Sequence, residues 1–276
     1  MFLPFLLLSF QAVSVETVLV PLDMAYGFCA EETGRFLVGE RRGDREVRLV
    51  RYEVREGKAR KLFEFPQKFE GPLEVFVVEG GVIVGDYASG FLGFFSSSGK
   101  EFWRLRVQDP NAFRLSLDGM PWMFFNSLLV YRKTPDSSVP EPVLDQHGAE
   151  ILLPAPVDIA PVREMTFYSL DFQGDLYEYP MGLPSRLMAR ETGMRRILAH
   201  PAGGVLGYGR GEVVWFLPGG ARRVLYKVPS EWVRAIRHMA WMPGGKLALA
   251  GSFTDRRGEA PRGVVLMIKI DRLGAD

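Results

Sequence analysis

The side chains able to do chemistry in this 276-residue chain sit at the ends of short apolar runs. Glu40, Asp86, Asn126, Arg210 and Ser252 each close such a run, and Asp171 lies slightly further along another. Glu70, Glu74, Asp158, Arg195, Arg196, Arg234, Arg237 and His238 stand where other runs begin. Carboxylate and amide oxygens of the type offered by Glu40, Glu70, Asp86 and Asn126 suit a hard divalent cation. Arginines and a histidine suit a charged or dipolar ligand instead. The longest charged insertion, FTDRRGEAPRG (253 to 263), adds Asp255, Arg256 and Arg257 as recognition candidates, since long loops on a rigid scaffold are where binding concentrates.

No catalytic set accompanies them. His147, His200 and His238 stand far apart, without the H-x-H or H-E-x-x-H spacing of a zinc site. His200 lies in the turn sequence AHPAGG. There is no G-x-S-x-G elbow, Walker loop or dinucleotide fingerprint, GYGRGE reads as a β-turn and SSSGK as a hairpin connection. The single cysteine, Cys29, excludes an internal disulfide, and its apolar neighbours in YGFCA predict a buried, inert thiol. The pairs Arg41–Arg42, Arg222–Arg223 and Arg256–Arg257 read as solvated charge in turns or on outer strands.

The elements that must position these residues recur. RFLVGE, GVIVGD, MPWMFFN, MTFYSL, GVLGYGR and KLALAGS are six versions of one short strand. With Phe36, Val82, Trp122, Thr166, Val205 and Leu247 as anchors, the spacings are 46, 40, 44, 39 and 42 residues. Upstream of each anchor lies another apolar strand, often joined by a Pro- or Gly-bearing turn such as HPAGG or MPGG. Two further strands follow, with the alternation in RLVRYEV and EFWRLRV marking half-buried strands. Four short strands in about 40 residues is the arithmetic of a propeller blade. The last unit lacks its fourth strand, and ETVLVPL (16 to 22) is a spare strand able to supply it and close the ring. The fold class expected is therefore all-β, a six-bladed β-propeller over residues 15–276. The polar, Pro-bearing stretch YRKTPDSSVPEPVLDQHGAE leaves the strand count of the third and fourth units open, so a seven-bladed ring or a two-sheet sandwich stays an alternative.

HPAGGVLGYGRGEVVWFLPGGARRVLYKV and MAWMPGGKLALAGSF resemble the turn-centred blades of the NHL, TolB and gluconolactonase-like propellers. The resemblance lies in pattern, covers nearly the whole chain after residue 14, and carries no family fingerprint. It implies that second strands end and first strands begin at one face, where acids of early blades would oppose bases of late ones. It also implies a channel-mouth metal in the gluconolactonase-like group, for which Glu70-Gly71-Pro72 is a weak counterpart.

Composition bounds the setting. A net charge of +1 removes the footprint of a general nucleic-acid binder. Arg outnumbers Lys 26 to 8 and only two Asn are present, which suggests a thermophilic, GC-rich source. MFLPFLLLSF followed by QAVS reads as a leader cut after Ser14, with an apolar run too short to span a bilayer. The expectation is an exported, periplasmic or secreted module without catalytic residues or an obligatory cofactor. It would bind a protein, peptide or glycan through Glu40, Asp86, Asn126, Arg210, Arg237, His238 and the 255–257 loop. A metal-dependent hydrolase or lactonase is the alternative.

Overall fold

The computed structural model describes residues 14–32, 34–107, 110–125, 130–133, 139–163, 166–180, 183–242, 244–253 and 261–270. Residues 1–13 of the proposed leader, Asn126 and residues 255–257 lie outside this set, while Ser14, the last leader residue, is the first of β1. Strand β1 (Ser14–Val20) comes first and is followed by blade one, β2 (Phe28–Glu32), β3 (Arg35–Arg41), β4 (Val47–Arg55) and β5 (Lys58–Glu64). Blade two is β6 (Leu73–Val78), β7 (Gly81–Asp86), β8 (Phe91–Ser96) and β9 (Glu101–Arg106). Blade three is β10 (Pro110–Leu115), β11 (Pro121–Phe125), β12 (Val130–Arg132) and β13 (Glu141–Pro142). Blade four comprises β14 (Pro156–Arg163), β15 (Thr166–Asp171), β16 (Leu176–Tyr179) and β17 (Arg186–Ala189). Blade five comprises β18 (Arg196–Ala199), β19 (Val205–Gly209), β20 (Glu212–Phe216) and β21 (Arg222–Lys227). Blade six is β22 (Ile236–Trp241), β23 (Lys246–Phe253) and β24 (Arg262–Lys269), with β1 as its outermost strand.

Six antiparallel four-stranded sheets result, and β2, β6, β10, β14, β18 and β22 face one another around the axis. The seven-bladed and sandwich alternatives are thereby set aside. In blade six, β1 pairs with β24 from Ser14↔Lys269 to Val20↔Gly263. The chain then crosses to blade one under a strap of hydrogen bonds. Ser252 Oγ donates to Asp23 Oδ1 (3.1 Å) and accepts from the Met24 amide (3.1 Å), and His238 Nε2 lies 2.8 Å from the Met24 carbonyl.

The core is divided among the six seams between blades. Cys29, Leu37, Leu49 and Phe65 of blade one meet Val75, Val84 and Phe95 of blade two, while Trp122 and Phe124 of blade three meet Ile159 and Phe167 of blade four. Blades six and one share a cluster that includes Phe36, Val50, Ala248 and Val265. Apolar residues therefore point to both faces of each sheet, which explains the nearly continuous apolar runs of the second strands.

The recurring Gly of those runs has a steric cause. A Cβ on Gly39 would stand 2.7 Å from the Tyr26 carbonyl oxygen, and one on Gly251 would stand 1.9 Å from that of Ala235. In both blades the backbone entering the first strand presses directly on the second. Blades three and four carry Phe125 and Leu170 at this place, and they are the blades whose repeats are least legible. Referred to this position, the equivalents of Phe36 and Val82 are Phe167, Leu206 and Ala248, each one residue beyond the anchors expected from sequence. Asp171 is then a full equivalent of Glu40 and Asp86.

Candidate functional site

Inner strands alternate between side chains facing the channel and side chains facing a seam, so channel residues recur every second position. Along β6 the channel sequence is Glu74, Phe76, Val78; along β18 it is Arg196, Leu198; along β22 it is His238, Ala240 and then Met242. Each of these three strands thus steps from a charged or polar residue to apolar ones. The result is a channel with two tiers.

The charged tier is contributed by five consecutive blades: Glu74, Arg114, Asp158, Arg196 and His238. Arg114 lies at its centre, 7% exposed in its side chain. Its Nε donates to Asp158 Oδ1 at 2.7 Å, and its Nη1 donates to Glu74 Oε1 at 3.0 Å and to the Phe113 carbonyl at 2.6 Å. Nη2 lies 2.6 Å from Asp158 Oδ1 as an ion-pair contact that lacks hydrogen-bond geometry. Asp158, with no exposed surface, also accepts from the amides of Ile159 and Ile197, both at 2.9 Å. Its two oxygens thereby bind blades three, four and five together. Glu74 additionally receives Arg196 Nη1 at 3.2 Å and the Tyr87 hydroxyl at 3.2 Å.

Two carboxylates and two guanidiniums cancel, which is the condition under which charge can be buried without a large desolvation penalty. Burial alone would raise the Glu74 pKa, but Arg114 and Arg196 outweigh it and hold the group at about 2. His238 is pushed below its ordinary value, chiefly by burial and further by Arg196 and Arg114, against the opposing pull of Glu74. Being neutral, it must carry its proton on Nε2 to donate to the Met24 carbonyl, which leaves Nδ1 as an acceptor. Burial raises the Cys29 thiol, behind this tier, to about 12, in line with the inert thiol expected.

Below the charges the channel opens into a cavity of about 620 Å³. Phe76, Val78, Leu198 and Ala240 wall it from channel-facing positions, Leu115, Met239 and Trp241 line it from the seams, all of them partly exposed, and the turns after the first strands rim it. Those turns lie at the opposite end of the ring from Glu40 and Asp86.

The residues singled out in the sequence disperse. Glu40 accepts from the Tyr52 hydroxyl and pairs with Arg42 at 2.5 Å, all within blade one. Asp86 is fully buried and accepts the amides of Glu70 (2.7 Å) and Ala88 (3.0 Å). The Glu70 side chain is exposed. Arg210 is exposed in a turn at φ 50°, lying against Gly193, and Arg237 is exposed with Nη1 on the Ile236 carbonyl. Asp171 accepts the Asp175 amide at 2.8 Å, and Ser252 belongs to the strap. Arg195 and Arg234 are exposed. Glu74, Asp158, Arg196 and His238 do converge. Among the described residues no three His, Cys, Asp or Glu side chains are grouped as metal ligands, and Glu40 and Asp86 are committed to other partners. His200 is a turn residue, its Nδ1 accepting the Ala202 amide at 3.1 Å and its ring lying 4.5 Å from that of Trp215.

Arg114 was not singled out from sequence. A signal was present in LEV (73–75), FRL (113–115) and VDI (157–159), a charged residue flanked by apolar ones on an inner strand, whereas Arg196 follows Arg195.

No family model and no curated protein sequence matches the chain. Solved structures match in fold. A streptogramin B lyase superposes with TM-score 0.59 at 12% identity, covering 93% of this chain and 98% of that one. A catalytically inactive virginiamycin B lyase of Staphylococcus aureus, solved with quinupristin, gives 0.56 at 12% identity, with coverages of 93% and 99%. A gluconolactonase of Xanthomonas campestris gives 0.52 at 14% identity, with coverages of 82% and 83%. At these identities the similarity concerns the propeller fold, and it agrees with the propeller type that the sequence resembles.

Proposed function

We propose that this propeller is an exported, non-enzymatic binding module whose ligand enters the central channel. The observation that carries the reading is the cavity of about 620 Å³ with apolar walls and a charged end. Concave sites of about 300–1,000 Å³, mostly apolar with a few fixed polar groups, are the usual form of small-molecule sites. Partly exposed Phe76, Leu198 and Trp241 gain from contact with an apolar body, and the charged tier is already cross-linked, so little ordering accompanies binding. A protein, peptide or glycan partner would present a small group or chain end to this cavity. Export through residues 1–14 is part of the proposal, and an intact Met1 on protein recovered from its native host overturns that part.

The test compares two faces. Ala240→Trp fills the cavity, whereas Arg210→Glu with Arg237→Glu reverses charge at positions assigned to the loop-bearing face. Ligands retained by the native protein through gentle purification are released and identified by mass spectrometry, then rebound by calorimetry. Binding abolished by the first variant and kept by the second supports the channel. The reverse pattern moves recognition to the loops.

A hydrolase is the second reading, favoured by the acceptor Nδ1 of neutral His238 beside the cavity. Two neighbours in fold are lyases and one a gluconolactonase. Turnover of a lactone panel, with and without added divalent cations, that disappears in His238→Ala would favour it over simple binding.

A further inference from the structure

Resting on the channel reading above, we infer that the ligand is a small amphipathic anion, with a carboxylate or equivalent head on Arg196 and an apolar body in the lower tier. The inference comes from counting the hydrogen-bonding capacity left in the charged tier. Asp158 accepts from Arg114 and from two backbone amides. Glu74 accepts from Arg114 and the Tyr87 hydroxyl and pairs with Arg196. All three contacts to Glu74 fall on Oε1, so the acids keep only Glu74 Oε2 and one site on Asp158 Oδ2, on side chains 14% and 0% exposed.

The donors are not saturated to the same degree. Arg114 is buried and faces two acids, whereas the Arg196 side chain is 32% exposed and meets one acid through one nitrogen. A guanidinium offers five N–H groups in a fixed fork, and one ion pair leaves most of them for an incoming acceptor. Arg196 lines the cavity, and two residues further along its own strand Leu198 begins the apolar wall. An anionic head at Arg196 therefore has Leu198, Phe76 and Trp241 for its tail. Glu79, exposed among the lining residues after Val78, adds a negative charge among the rim turns and disfavours a second anionic group at the far end of the ligand. A single head with an apolar tail satisfies both ends.

The experiment uses the full-length protein and a matched panel. Octyl, phenylbutyl and naphthylmethyl bodies each carry a carboxylate, a primary alcohol or an ammonium group, and binding is read by calorimetry. The carboxylate of at least one body should bind roughly 10- to 100-fold more tightly than its alcohol, as expected for a charge-assisted hydrogen bond. That advantage should vanish in Arg196→Gln and partly return in Arg196→Lys, while the alcohol is little affected. Circular dichroism confirms that the variants fold. Equal affinity for all three heads, or preference for the ammonium, overturns the anion but leaves the channel reading standing. Failure of every body and head to bind overturns both.

Discussion

Asp158→Asn isolates the tie between blades three, four and five. Asparagine keeps the shape but exchanges one acceptor oxygen for an N–H₂ donor. Asp158 Oδ1 faces Arg114 Nε at 2.7 Å and the Ile159 amide at 2.9 Å, while Oδ2 faces the Ile197 amide at 2.9 Å. If the amide oxygen keeps the first pair, its nitrogen confronts the Ile197 N–H and orphans a buried donor, costing about 1–3 kcal/mol. Arg114 retains only Glu74 as counter-charge at 3.0 Å. Breaking a buried pair from one side costs about 3–5 kcal/mol in all. For a chain of this size each kcal/mol shifts Tm by about 2–4 °C, so a fall of roughly 6–20 °C is expected. Urea unfolding followed by tryptophan fluorescence gives the free energy, with the slope m checking that the transition is unchanged in kind. In an Arg114→Met background the same change should cost at least about 1 kcal/mol less, because no buried cation is stranded. A loss under about 1 kcal/mol, or additivity within about 0.5 kcal/mol in the double variant, would refute the view that this pair ties the ring.

Three further outcomes follow from the same geometry. The Glu74 carboxyl, held at about 2 in the folded state, contributes stability that is complete above its ordinary value and is lost as pH falls from about 4.5 toward 2; in Glu74→Gln this part of the acid transition should flatten, as read by urea unfolding at stepped pH. The His238 imidazole should titrate below 6.5 by NMR, lower still in Glu74→Gln and higher in Arg196→Gln, and an ordinary value in the native protein would contradict its burial. Gly251→Ala should destabilise by about 1–3 kcal/mol or more, since its Cβ meets the Ala235 carbonyl, whereas an alanine at exposed Gly244 has open space around it and is limited to the strain of its positive φ. Comparable losses at the two glycines would remove close approach as the reason for the repeat.

How far the sequence was legible depends on what each residue type reports. Period-two alternation in RLVRYEV and the recurrent glycine of VGE, VGD, YGR and AGS reflect local sterics, so the strands and the blade number could be read from them. Blades three and four lack that glycine, and in blade three the outer strand shrinks to Glu141–Pro142, so the pattern faded there. Strand-ending acids were harder to interpret, because a polar residue at a strand end serves equally as a solvent contact, a ligand or a cap. Asp86 proved to be a buried cap for the Glu70 and Ala88 amides. The channel cluster was half visible. Glu74, Asp158, Arg196 and His238 were placed near one another by blade equivalence, whereas Arg114 enters β10 further along, opposite Trp122, and reaches the others only through the length of its side chain.

The pairing of β1 with β24 also has a consequence in time. Val20 meets Gly263, so the first described strand waits for a partner 243 residues downstream. At about 5–20 residues per second of synthesis that wait is roughly 10–50 s. Five blades can assemble from local hairpins meanwhile, but the sixth cannot acquire its outer strand until β24 exists. A chain stopped before residue 262 would carry an orphaned β1 and an uncovered sheet edge at β23 together, the features that drive aggregation and invite proteolysis. Closing the ring with β1 therefore makes synthesis through β24 a condition of the protein's survival.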